Sequence, residues 1–330
     1  MLTIHSYSES WPIKGSFNIS RGSKTTAEVI LVEIHEQGRL LGRGEGVPYP
    51  RYGETVSGCL KSIKEVSPKI SKDPSRQKLL ELLPAGAARN ALDCALWDYE
   101  AKKQGKPVWE LAQLSPPQKV GTAYTIGIDK AELMAKRVEE LKDWDLFKLK
   151  LKGTDDLKRV EAVRDAAPWA RIIVDANEAW ELEQLSNFLP ELKRLRVELV
   201  EQPLPAGADQ ALETCARLVP ICADESCHTL EDIDKCRDKY DYVNIKLDKT
   251  GGLTEALSVL EAAKRAKFGI MLGCMVCTSL SIAPAFLLAN QAQIVDLDGP
   301  LLLTKDRGDG IRQSGSQIVG PKASFWGHPL

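Results

Sequence analysis

The chain has 330 residues, 43% apolar and 27% charged, the proportions of an ordinary globular protein, which excludes a disordered chain or a long coiled coil. Its 44 Lys and Arg against 46 Asp and Glu leave a net charge of −2, so no electrostatic attraction for nucleic acid or an anionic membrane is expected. The length exceeds one domain of roughly 100–200 residues and suits an α/β barrel with a smaller companion.

The opening stretch MLTIHSYSESWPIKG lacks a basic start followed by an apolar core, and no run approaches membrane-spanning length. A cytoplasmic protein is expected. TAEVILVEIHEQGRLLGRGEGV reads as two strands turning at EQGR. Within it GRGEG looks briefly like a dinucleotide loop, but VPYPRYG follows where a helix would have to open. GAARNALDCALWDYEAKKQG reads as a helix, because Ala88, Ala91, Leu92, Ala95 and Leu96 fall on one face. Strands followed by helices make residues 1–115 an α+β domain.

From about residue 121 the order changes to strand and helix in alternation. Strands are predicted at 122–128, 147–152, 171–177, 197–203, 220–226, 242–248, 269–275 and 294–299, with helical patterns such as LKRVEAVRDAA and TEALSVLEAAKRA between them. Eight such strands over 116–300 predict a TIM-like (β/α) barrel, with an open doubly wound sheet as the alternative. Residues 301–330 are expected to return to the first domain. The eight cysteines follow no paired framework, and the lone CMVC at 274–277 has no second pair to complete a zinc site.

Several strands run apolar and then end on a charge: Asp175, Glu201, Asp224, Lys246, and Asp296 with Asp298. In a barrel these ends gather at the active-site mouth. Asp175, Glu201 and Asp224 come from neighbouring strands; three carboxylates without His or Cys select Mg²⁺ or a similar hard ion. The bland alternative makes each acid a helix cap, which three successive strands argue against.

In LFKLKLKG, residues 146–153, lysines 148, 150 and 152 alternate with apolar residues. A closed barrel has no edge strand to solvate such a face, so Lys150 should point into the mouth, opposite Lys246. Like charges nearby are expected to lower the lysine pKa and so make a base. Two bases opposed across a metal-bound carboxylate suit proton removal at the α-carbon and return on the other face. The pair Asp296 and Asp298 adds an acidic pole suited to an ammonium, so the substrate expected is a dipeptide-sized zwitterion.

KLKLKG, IVDANEAW, VEQPLP, ICADESCHT, VNIKLDKTGGLTEAL and DLDGP together resemble the dipeptide epimerases of the enolase superfamily, and PYPRYGE and LPAGAARNALDCALWD extend the likeness into the N-terminal part. That superfamily sets a lysine or histidine base beside Mg²⁺. The resemblance implies a modified (β/α)7β barrel with an α+β cap, one Mg²⁺ on Asp175, Glu201 and Asp224, and Asn177 supporting that shell. It implies Lys150 and Lys246 as the two bases, Lys148 beside the substrate carboxylate, and Asp296 with Asp298 on the ammonium. The implied activity is epimerisation of the C-terminal residue of a dipeptide such as L-Ala-D-Glu, recovered from murein. A cation from the cap, Arg21, Lys24 or Arg51, would then meet the glutamate side chain, with Arg21 the first choice. An o-succinylbenzoate synthase-like enzyme, a Schiff-base aldolase and a barrel-derived binding protein remain as alternatives, and a homo-oligomer is left open.

Overall fold

A computed structural model of the protein describes residues 2–329. It opens on a long hairpin, β1 (Leu2–Ile19) antiparallel to β2 (Gly22–Glu36), which pairs in turn with β3 (Arg39–Gly46). The strand β1 is additional to the two expected from sequence. Its run of His5, Ser6, Ser8, Glu9 and Ser10 hides it, because an edge strand buries few positions. By contrast β2 carries the apolar run Val29, Ile30, Leu31 and Val32. Ile30, Val32 and Ile34 pack on the helices α1 (Val56–Lys72), α2 (Arg76–Leu82) and α3 (Ala87–Gln104), while Val29 and Leu31 face the barrel side. The GRGEG run is packing, not a nucleotide loop: a Cβ on Gly44 would lie 2.0 Å from Ala91 O, so α3 can rest on β3 only over glycine.

After α4 (Val108–Leu111) and β4 (Val120–Gly121), eight parallel strands follow in chain order. They are β5 (Tyr124–Ile126), β6 (Leu146–Lys150), β7 (Arg171–Asp175), β8 (Val197–Glu201), β9 (Ile221–Ala223), β10 (Tyr242–Ile245), β11 (Gly269–Gly273) and β12 (Ile294–Asp296). Ala123 N donates to Val295 O at 2.8 Å and Leu297 N to Thr122 Oγ1 at 2.9 Å, which joins the first strand to the last. The barrel, not the open sheet, is therefore the architecture. Helices α5 (Ala131–Glu139), α6 (Asp156–Ala166), α7 (Leu182–Arg194), α8 (Leu247–Thr250), α9 (Leu253–Arg265) and α10 (Ser279–Phe286) surround it, and short 3₁₀ turns take the helix's place after β8 and β9.

Strand alternation decides what faces inward. Phe147, Leu149 and Leu151 join Met134 and Val138 of α5 and Val160 and Val163 of α6 in the outer core. Full burial of such a side chain contributes about 1.5–3 kcal/mol. Ala123, Leu146, Ile173, Leu199, Cys222, Met271 and Ile294 form a separate apolar floor inside the barrel. Lys148 and Lys150, two and four residues beyond Leu146, rise from that floor on the same face.

The C-terminal segment touches both parts. β13 (Arg312–Ser314) and β14 (Gln317–Val319) form a hairpin whose second strand pairs with β4. Beyond it, Trp326 Nε1 donates to Arg43 O at 2.9 Å and Gly327 N to Asp98 Oδ1 at 2.7 Å. Arg307 pairs with Glu9 (2.6 Å) and with buried Glu45 (3.0 Å). Two further ties hold the cap on the mouth: Ile13 bridges Leu303, and Asp248 Oδ1 accepts from Val47 N and Asn90 Nδ2, each at 2.8 Å. The eight cysteines are all unpaired, and no helix among the described residues is long and apolar enough to cross a membrane.

Candidate active site

Parallel register builds the site. Lys150 is the cross-strand partner of Asp175, and Asp175 of Glu201; Cys222 continues the row, so Asp224 stands two residues further along the same face. Lys246 follows β10 directly, and Asp296 ends β12. Strand order puts β6 and β10 four places apart in the ring of eight, on opposite walls.

All of these side chains are buried and held by one another. Lys148 Nζ lies 2.6 Å from Glu201 Oε2, 2.8 Å from Asp296 Oδ2 and 3.1 Å from Asp175 Oδ2. Lys150 Nζ is 2.5 Å from Asp175 Oδ2, and Lys246 Nζ is 2.7 Å from Asp224 Oδ2. Asp298 Oδ2 accepts from Thr125 N at 2.6 Å. Asn177 N donates to Asp175 Oδ1 at 2.9 Å, and its own Oδ1 is buried without a hydrogen-bond partner. Asn177 and Glu178 sit at φ 44° and 67°, a strained turn of the kind that collects at functional sites.

Carboxylates dominate the electrostatics around two of the lysines. Burial alone would lower Lys148 and Lys246, but Asp296 and Glu201 around the first, and Asp224 and Glu201 around the second, outweigh it and raise both. The sequence shows the lysines meeting each other but not how many carboxylates stand between them. Among the acids, burial and then the charge of Asp175 push Glu201 up to about 7, whereas Lys246 and Lys249 overcome burial and hold Asp224 well below the carboxylate range. Burial and Asp296 raise Asp298 to about 7.

Above the mouth the cap closes a cavity of about 800 Å³. Lys148, Lys150, Asn177, Asp224, Lys246, Asp296 and Asp298 line its floor, and Arg21, Lys24, Tyr49 and Arg51 its roof. Arg21, first choice from sequence for a glutamate side chain, is already engaged: Nη2 is 2.7 Å from Glu225 Oε1 and Nη1 is 3.1 Å from Glu178 Oε2. Arg51 likewise donates twice to Glu178, each at 2.7 Å. Lys24 has no ion pair or side-chain hydrogen bond among the described residues; its Nζ stands 5.2 Å over the Tyr49 ring. Of the three cations, Lys24 is the one left for a ligand.

Residues 130–305 match the enolase C-terminal domain-like family, and residues 1–112 match the N-terminal domain of the mandelate racemase / muconate lactonizing enzyme family. The chain belongs to the enolase superfamily. Within that superfamily it is 45% identical over 310 residues to L-Ala-D/L-Glu epimerase of Escherichia coli, covering 93% of this chain and 96% of that one. It is 44% identical over 301 residues to N-acetyl-D-glutamate racemase of Pseudoalteromonas sp, at 91% and 95% coverage. A crystal structure of an enolase family member from Agrobacterium tumefaciens with homology to dipeptide epimerases, holding sodium and L-Ala-L-Glu, superposes with a TM-score of 0.97 at 45% identity over 99% of this chain and all of that one.

A superfamily metal fits the donor set here. Glu201 Oε2 and Asp224 Oδ1 are buried oxygens with a lysine ammonium in contact but no directed hydrogen bond, and every candidate ligand is a carboxylate oxygen. No three such side chains among the described residues already stand as a metal cage, and the Lys148 ammonium lies between Asp175 and Glu201. Residues that sequence reasoning missed complete the support. Asn244 Nδ2 holds Glu201 Oε1 at 2.8 Å, and Gln202 Oε1 accepts from Asp224 N at 2.9 Å. Buried Glu225 meets Arg21, and Lys249 lies against Asp224 at 2.7 Å. Their motif neighbours, VEQP, ADES and KLDK, were in view, but only the fold shows which of them point inward.

Proposed function

We propose that the protein inverts the α-carbon of the C-terminal residue of a dipeptide, L-Ala-D/L-Glu being the substrate that the relatives and the cap favour, with recovery of murein peptides as the purpose. The observation that carries this reading is the opposition of Lys150 and Lys246 across one cavity, each against a different carboxylate. An isomerase of this kind needs a proton acceptor on each face of one carbon.

Asp175, Glu201 and Asp224 would hold Mg²⁺, which supplies positive charge beside the substrate carboxylate and so acidifies the neighbouring C–H. One lysine, as the free amine, takes the α-proton, the C–H electron pair passes into the carboxylate, and the other lysine, as its ammonium, gives a proton to the opposite face. Lys148 adds positive charge at the same end. Asp296 and Asp298 at the far wall suit the α-ammonium, and the Lys24 ammonium under the cap suits the glutamate carboxylate. Asn177 braces Asp175.

Proton exchange in D₂O with Mg²⁺ tests it. Deuterium should enter the α-position of the second residue of L-Ala-D-Glu and of L-Ala-L-Glu. No exchange with either dipeptide sinks the reading, and exchange confined to N-acetylglutamate would move the substrate to that of the racemase relative.

A further inference from the structure

Lys249 is a buried charge beside the site that this mechanism does not use. Its side chain is fully enclosed, on α8, three residues past Lys246. The ammonium donates to three main-chain carbonyls: Asp224 O at 2.6 Å, Cys227 O at 2.8 Å and Asn244 O at 2.8 Å. It also lies 2.7 Å from Asp224 Oδ1.

An ammonium has three N–H donors, and the carbonyls take all three. Asp224 Oδ1 therefore receives the charge of Lys249 at contact distance without receiving a hydrogen, and it is left as a buried oxygen with no hydrogen bond. The same ammonium joins the ends of β9 and β10. It fixes Asn244, whose side chain holds Glu201 Oε1, so two of the three carboxylates are steadied from one point.

We propose that Lys249 is a positioning residue for metal binding: it holds Asp224 electrostatically while keeping Oδ1 open for the cation. This rests on the reading of Asp175, Glu201 and Asp224 as metal ligands. A lysine can do this because its donors are few; glutamine in its place removes the charge, and arginine adds donors aimed at the same oxygen.

Arg89 provides a matched control. It too is buried and grips the C-terminal end of α8, donating to Thr250 O at 2.7 Å and Gly251 O at 3.1 Å, but its carboxylate partner is Glu255 and it does not touch Asp175, Glu201 or Asp224. Mn²⁺ binding to the full chain, read from the spectrum of free Mn²⁺ by electron paramagnetic resonance, distinguishes the roles. Lys249→Gln should weaken Mn²⁺ about 10–100-fold, as loss of an outer-shell partner does. Arg89→Gln should lose thermal stability yet bind Mn²⁺ as the wild type does.

Equal weakening by both variants, or unchanged binding by Lys249→Gln, overturns the proposal while leaving the metal assignment intact. A wild-type chain that binds no Mn²⁺ overturns the metal assignment itself and this proposal with it. If Lys249→Gln does not fold, Lys249→Arg is read instead: it keeps the charge in the cage, and Mn²⁺ binding at wild-type strength overturns the donor-count argument.

Discussion

Arg21 and Lys24 stand over the same Tyr49 ring, at 5.7 and 5.2 Å from its centroid, yet only Arg21 is tied to carboxylates. The two cations therefore have separable functions. Lys24→Ala should lower kcat/KM for an L-Ala-Glu substrate about 10–100-fold, the worth of one charged hydrogen bond, and barely affect a dipeptide with an apolar second residue. Arg21→Ala should depress both, because Glu225 loses its partner and Glu178 keeps only Arg51. Steady-state kinetics on the two dipeptides separates these outcomes, and a uniform loss in Lys24→Ala would remove it from substrate selection.

In the proposed reaction Lys150 and Lys246 serve opposite faces of one carbon, so neither should replace the other. Each alanine variant should lose at least about 10²–10⁴-fold in epimerisation. The two variants should also differ in which epimer still exchanges its α-proton in D₂O, one retaining the D form and the other the L form. Mass spectrometry of recovered dipeptide reads this, and an epimerising double variant would place the bases elsewhere.

Charge at the far wall should act on binding of the ammonium. Asp298→Asn keeps an oxygen for Thr125 N but removes the negative charge. KM for the free dipeptide should rise about tenfold or more, with N-acetylated dipeptide unaffected or improved. Competition between the two substrates is the measurement, and an equal change for both would detach Asp298 from the ammonium.

Asp248 carries a pH dependence of stability. Burial raises its pKa from 3.8 to about 7, so between about pH 4 and 7 the folded chain holds a proton that the unfolded chain has lost. Its contribution is full below about pH 4, falls as pH rises, and is gone above about pH 7. Asp248→Asn keeps the oxygen that accepts from Val47 N and Asn90 Nδ2. The variant should match the wild type near pH 4 and exceed it at pH 8 by up to about 4 kcal/mol. Urea unfolding at both values checks the sign, and a variant less stable at pH 8 would show that the charge is needed.

Much of this was legible in the chain because barrel strands write their geometry locally. The alternation of Lys148 and Lys150 with Phe147, Leu149 and Leu151 tells inside from outside, and a charge closing an apolar run marks a strand's mouth end. What the residues of one strand do to those of another is not local. The raised pKa values of Lys148 and Lys246 depend on acids from β8, β12 and the end of β9, and the engagement of Arg21 depends on Glu178 and Glu225 from two other loops. Lys249 has the composition of any helical lysine until the carbonyls around it are known. The strand β1 escaped for a simpler reason, since its polar face offers no periodic apolar signal.

The hairpin of β1 and β2 slips register between Pro12 and Phe17, the interval in which Ile13 docks on Leu303. Around that slip Pro12, Ile13 and Lys14 meet residues 301–304 at the barrel rim, and the stretch beyond it, from Phe17 through Arg21 to Lys24, lines the cavity. The reacting groups sit on barrel strands that this tip does not build. Its few residues thus form an interchangeable part: a lineage could exchange one side-chain preference for another there, by substitution or insertion, without retuning the chemistry underneath.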